Sequence, residues 1–111
     1  MTTGPRPAQM PAAEVPADAF LVDVREPDEW TAGHAPGAMH IPLGQLGARY
    51  TEIPQEGPVY LICRAGSRSN QAANALAGAG WTVVNVSDGM TGWAAAGRPM
   101  LNEDGGTPRV A

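Results

Sequence analysis

The chain has 111 residues, 43% of them hydrophobic, and a formal net charge of −4, which describes one soluble-type domain with enough apolar material for a core without disulfides. All seven basic residues are Arg; this acidic, lysine-free balance argues against a nucleic-acid partner and excludes a Schiff-base lysine. No run reaches the ~20 apolar residues that span a bilayer, so no membrane partner is expected.

Residues 1–13 contain Pro5, Pro7 and Pro11 and read as a loosely ordered lead-in; Met1 to Pro16 lacks the apolar core of a signal peptide. Phe20-Leu21-Val22-Asp23-Val24 is an apolar run of β-formers and predicts a buried strand. Pro27 to Ala32 has Pro at the first helical position, acids in the first turn and Gly33 behind it, the signature of a short helix. Met39-His40-Ile41 predicts a short strand stopped by Pro42. Leu43, Leu46 and Tyr50 carry helical spacing.

The strand 58–62 comes next and ends at Cys63. A helix over 69–79 follows, with the small apolar face Ala72, Ala73, Leu76, Ala77 and Ala79. Residues 81–86 predict another strand, and 89–96 a last short helix anchored by Trp93 and ended by Gly97. Residues 102–111, with Asn102-Glu103-Asp104-Gly105-Gly106, read as a flexible tail. Strands alternating with helices predict an α/β domain with a mainly parallel sheet. Functional sites in such sheets lie beyond the carboxyl ends of the strands, where Cys63 sits.

Cys63 is the only cysteine. It cannot form an intramolecular disulfide, which points to a cytoplasmic compartment. His34 and His40 have no metal-ligand spacing with it, and no metal or cofactor is expected. The thiol stands between a strand and a helix N-terminus, in the loop Arg64-Ala65-Gly66-Ser67-Arg68. A helix N-terminus and adjacent guanidinium groups lower a thiol pKa. Gly66 can take positive φ and turn amides inward. Ser67 and Ser69 offer hydroxyls, and Arg64 and Arg68 can hold an oxyanion. The contrary reading is a buried structural thiol with solvated arginines.

Three segments carry a family resemblance: Leu21 to Trp30 with Gly33-His34-Ala35-Pro36-Gly37-Ala38; Cys63 to Ser69; and Asp88-Gly89-Met90-Thr91-Gly92-Trp93. Together they resemble a single-domain rhodanese, a sulfurtransferase, over residues 14–100 between the lead-in and a tail at 101–111. The resemblance implies a three-layer domain with a central five-stranded parallel sheet between helices. It also implies a Cys63 persulfide whose anion is stabilised by the loop amides, with Arg64 and Arg68 positioning a small anionic sulfur donor such as thiosulfate. No second cysteine exists to resolve the persulfide, so the acceptor is an external thiol, small or borne by a protein such as a thioredoxin-like carrier, or cyanide in an assay.

Supporting roles are expected for Asp23, Arg25, Ser69 and Met90. Arg25 reads as an ion-paired brace, with Asp23 and Glu29 as neighbours. Met90 either lines the pocket mouth or packs. His34, Trp30, Trp81 and Trp93 read as structural. The sequence departs from the family pattern at Asp88, where a glycine is common; a carboxylate there would repel anionic donors or orient an arginine. His40 stands where many relatives have Asn, and Pro11 and Pro16 bracket a poorly written first helix.

Two other functions compete. A cysteine phosphatase or arsenate reductase uses a related loop, but phosphatase loops place five residues between Cys and the Arg-Ser/Thr pair, and here there are four, 64–67. The smaller cradle suits a sulfur atom better than a phosphoryl group. A non-catalytic binding or regulatory module is the other class, against which the retained cysteine argues.

Overall fold

The computed structural model describes residues 6–111. Five strands form one sheet: β1 (Ala8–Met10), β2 (Phe20–Asp23), β3 (Met39–His40), β4 (Val59–Ile62) and β5 (Val83–Val86), in the order β1-β5-β4-β2-β3. Every pairing is parallel. The four α-helices are α1 (Pro27–Ala32), α2 (Leu46–Arg49), α3 (Ser67–Gly78) and α4 (Gly89–Ala95). The α/β fold with a five-stranded parallel sheet is thus the one the resemblance implies.

Strand β4 lies at the centre, and all four of its residues are buried, as expected for a parallel strand covered on both faces. Its side chains alternate between two cores. Val59, Leu61 and Cys63 pack with Val22, Leu46 and the small face of α3. Tyr60 and Ile62 pack with Val86, Met90 and Trp93 on the other face. Ala72 and Ala73 are buried to within 1%; their short side chains let α3 lie close to the sheet.

The chain runs from β2 outward to β3 and from β4 in the opposite direction to β5. The strand order therefore reverses between β2 and β4. Loops leaving the carboxyl ends of these two neighbours diverge, and this point of a parallel sheet is the usual location of a site. Asp23 ends β2 beside Ile62 at the end of β4, and Cys63 follows.

Several elements differ from expectation. Residues 1–5 of the expected lead-in lie outside the described residues, but Ala8–Met10 is an ordered edge strand. Parallel pairing to Val84, Asn85 and Val86 outweighs the flanking prolines, because Pro7 and Pro11 lie outside the paired residues. The poorly written first helix is a single 3-10 turn, Ala12–Glu14. The helical stretch after Pro42 is split into a 3-10 turn, the four-residue α2 and a second 3-10 turn at Tyr50–Glu52; Gly44 and Gly47 lower its helix propensity. Helix α3 starts at Ser67, two residues early, and ends at Gly78. The last strand starts only at Val83, because the Trp81 amide closes the end of α3 on the Leu76 carbonyl. The tail is held against the domain. Leu101 bridges to His34, the Glu103 amide donates to Thr31 and the Arg109 amide to Ala32.

Candidate active site

The loop after β4 folds round the sulfur because three constraints act on its backbone. Gly66 takes φ +105°, a left-handed conformation open to glycine, and a Cβ there would collide with the Ser87 carbonyl. The Met90 amide donates to the Cys63 carbonyl at 2.8 Å, and the Thr91 amide to the Arg64 carbonyl at 3.0 Å. The loop carbonyls are thereby drawn toward the start of α4. Gly89, at φ +57°, makes this approach possible, since a Cβ there would meet both carbonyls.

With those carbonyls turned away, the amides face the sulfur. The Gly66 N–H donates to Cys63 Sγ at 3.1 Å, and the Ser69 hydroxyl lies 3.3 Å from it. The thiol is only 1% exposed. Burial alone pushes its pKa up, but the Ser69 hydroxyl and the amides of Ser69, Gly66 and Ala65 outweigh this and bring it below the ordinary 9.0. The result is a thiol poised to ionise and a cradle that suits an anionic sulfur.

The two arginines divide their work. Arg68 gives Nη1 and Nη2 to the two oxygens of Glu29 at 2.7 and 2.9 Å. That hydrogen bond holds the Glu29 carboxyl below its usual range despite partial burial. Arg68 therefore clamps α1 to the loop, and its charge is matched. Arg64 is exposed and donates through Nε to the Ala111 carbonyl at 3.1 Å. Ala65 and Ser67 are also exposed at the loop rim.

Asp23 and Arg25 are both fully buried. Asp23 accepts from the Arg25 amide and Nε at 3.0 Å and from Nη2 at 2.8 Å, while Nη2 also reaches the Gly33 carbonyl at 2.7 Å. This is the ion-paired brace that the sequence suggested. Neither residue bonds to Cys63. The Met90 side chain lies wholly in the core and does not line a mouth; its contribution is the amide on Cys63. Asp88 neither orients an arginine nor reaches the sulfur. Its carboxylate accepts from the Ala12 amide at 2.7 Å and ties the first 3-10 turn to α4.

His34 stacks on Trp30 with centroids 3.6 Å apart, and its Nε2 lies 2.8 Å from Glu103. His40 also stacks on Trp30, at 4.7 Å, and contacts the Arg25 carbonyl. These rings support α1. Among the described residues no three His, Cys, Asp or Glu side chains converge as metal ligands, and no helix is long and apolar enough to cross a membrane.

One residue of the site went unnoticed in the sequence. Asn85, in the middle of β5, is 2% exposed and bonds to Ser69 and to the Gly66 carbonyl. The available signal was an amide inside the run Val83-Val84-Asn85-Val86, since a buried polar side chain in a two-sided strand must find partners.

The family model of the Rhodanese-like domain matches residues 8–96. The chain belongs to the rhodanese family. A protein named sulfurtransferase from Allochromatium vinosum is 37% identical over 89 residues, covering 79% of this chain and 83% of the relative. A putative sulfur carrier protein and an uncharacterized protein of Bacillus subtilis are 40% and 46% identical, but this chain spans only 40% and 60% of their lengths. Among solved structures, a rhodanese-related protein from Thermoplasma volcanium superposes with a TM-score of 0.78 at 27% identity, covering 86% of this chain and 97% of the other. The thiosulfate sulfurtransferase from Pseudomonas aeruginosa gives 0.77 at 26% identity, over 88% of this chain and 21% of that one. The family match begins at β1, a strand within the residues that the sequence alone placed in the lead-in.

Proposed function

We propose that this rhodanese domain is a sulfurtransferase that carries sulfane sulfur as a persulfide on Cys63. The observation that carries the proposal is the Gly66 N–H and Ser69 hydroxyl converging on a buried Sγ whose pKa is lowered. The Cys63 thiolate attacks the outer sulfur of thiosulfate. A Cys63 S–S bond forms, the donor S–S bond breaks, and its electron pair leaves with sulfite. The charge of −1 stays on the terminal sulfur of the persulfide, where loop amides stabilise it. An acceptor nucleophile, cyanide or a thiolate, then takes that sulfur and the Cys63 thiolate returns. No net oxidant is consumed.

In this assignment Arg64, exposed and paired with no Asp or Glu side chain among the described residues, exchanges its Ala111 contact for the sulfonate end of the donor. Arg68 is occupied by its pair with Glu29, which ties α1 to the loop. Ala65, Gly66 and Ser67 form the rim and cradle. Ser69 and the Met90 amide support the loop, and the Asp23–Arg25 pair braces the end of β2 against the Gly33 carbonyl. The chain has one thiol, so the acceptor is external: a small thiol or a protein thiol of the thioredoxin-like kind. A free thiol of this type fits a reducing cytoplasmic compartment.

Incubation with thiosulfate is expected to add about 32 Da, one sulfur atom, to the intact protein through the covalent intermediate. Cyanide removes the addition, and Cys63→Ser abolishes it. A native protein that takes up no sulfur from thiosulfate or an organic persulfide would favour a binding module. Hydrolysis of an aryl phosphate without sulfur uptake would favour a phosphatase.

A further inference from the structure

Asn85 and Ser69 form a buried chain of hydrogen bonds that ends at the sulfur, with the exposed Gln9 at its outer end. Asn85 Nδ2 donates to the Gly66 carbonyl at 3.1 Å and to Gln9 Oε1 at 2.9 Å. A backbone carbonyl only accepts, so the amide orientation is fixed: nitrogen toward Gly66, Oδ1 toward Ser69. Oδ1 lies 2.6 Å from Ser69 Oγ, whereas Cys63 Sγ lies 3.3 Å from the same oxygen. Oδ1 has no proton to give. Ser69 has one hydroxyl proton and two acceptors for it.

The geometry points to Asn85 as a positioning residue that competes with the Cys63 sulfur for the Ser69 hydroxyl proton. In the neutral state the short bond to Oδ1 takes the proton, and Ser69 turns a lone pair to the thiol. When the sulfur is anionic the hydroxyl rotates toward it, and Asn85 gives up its bond. The thiolate gains the Ser69 donor only by breaking the Asn85 bond, so Asn85 holds the thiolate fraction below what an uncontested hydroxyl would allow. Register makes the arrangement possible: Asn85 pairs with Gln9 on β1 and Leu61 on β4, which places it beneath the first turn of α3.

The charged groups on the surrounding elements are already engaged or remote from this proton. Arg68 is paired with Glu29 of α1, Asp23 with Arg25 at the end of β2, and Asp88 with the Ala12 amide. Arg64 is exposed on the loop. None of these groups hydrogen-bonds to Ser69 or Asn85.

The inference rests on Cys63 being the reacting thiol, but its test needs no sulfur donor, so it can fail without the sulfurtransferase assignment failing. The pH dependence of iodoacetamide alkylation gives the Cys63 midpoint in native protein, Ser69→Ala, Asn85→Val and the double variant. Ser69→Ala is expected to raise the midpoint slightly in the native background. In the Asn85→Val background, where the hydroxyl is uncontested, the rise is expected to be roughly three times as large. Equal rises in both backgrounds would overturn the assignment and leave Asn85 a structural residue. A second measurement needs no Asn85 variant. The side-chain carbonyl carbon of Asn85, followed by NMR, is expected to shift with the midpoint of Cys63 in native protein and to lose that shift in Ser69→Ala. A flat titration in native protein, or one that persists without the hydroxyl, would also overturn it.

Discussion

Arg68 and Glu29 meet fork to fork, with Nη1 to Oε1 at 2.7 Å and Nη2 to Oε2 at 2.9 Å. The guanidinium that the sequence offers as a donor-binding group is thus engaged with α1. Its side chain is one-third exposed, so the pair is screened and its strength is modest, about 0.2–1 kcal/mol. Glu29→Gln keeps the Oε1 acceptor that receives the Glu26 amide but frees the charge of Arg68. The variant is expected to lower the KM for thiosulfate about threefold at low salt, with kcat little changed. A raised KM in steady-state kinetics would show that the clamp itself shapes the donor site.

The same pair sets an acid limit. The Glu29 carboxyl is held below its ordinary 4.5 by the Arg68 hydrogen bond. A carboxyl depressed on folding stabilises fully above its unfolded value and loses that contribution as pH falls through the folded one. The melting temperatures of native protein and Glu29→Gln are therefore expected to differ above pH 4.5 and to converge below it. A gap that persists well below that pH would contradict the assignment.

Gly66 is the backbone position on which the cradle depends. Gly66→Ala must adopt φ +105° and push its Cβ into the Ser87 carbonyl. The left-handed region alone costs about 1–2 kcal/mol for a residue with a Cβ, and the clash adds to it. A fall in melting temperature of at least about 5 °C is expected, together with a Cys63 alkylation midpoint displaced upward because the clash shifts the residue-66 amide from its 3.1 Å position at the sulfur. An unchanged midpoint would mean that this amide does not stabilise the thiolate.

The buried brace should be intolerant of half-removal. Asp23→Asn leaves Arg25 charged with no carboxylate in a fully buried site. Breaking such a pair costs about 3–5 kcal/mol. Urea unfolding is expected to show a loss of that size, with sulfur transfer by the surviving folded fraction largely kept. A loss below about 1 kcal/mol would place the pair in contact with water.

The sequence made the nucleophile and its cradle legible because chemistry of that kind is local: Cys63, Gly66 and Ser69 lie within one loop and one helical turn. Strands β2, β4 and β5 and helices α1 and α3 were legible for a similar reason, since burial and capping leave short-range patterns. Strand β1 was not, because three exposed or half-exposed edge residues between prolines are too short a run to carry a strand pattern and owe their order to pairing with β5. The partners of Arg68 and Asn85 were hidden by distance along the chain, 39 residues to Glu29 and 16 to Ser69. Asp88 looked like a feature of the donor site because it lies in a family motif; its Ala12 contact spans 76 residues. The tail carries few apolar residues, and backbone bonds at Thr31, Ala32 and His34 hold it.

The most direct measurement is the mass of intact protein after thiosulfate, followed by peptide mapping. A gain of about 32 Da on the peptide containing Cys63, reversed by cyanide and absent from Cys63→Ser, is the predicted result. Sulfur uptake that survives in Cys63→Ser, or a native protein that stays unmodified under both thiosulfate and an organic persulfide, would contradict the account.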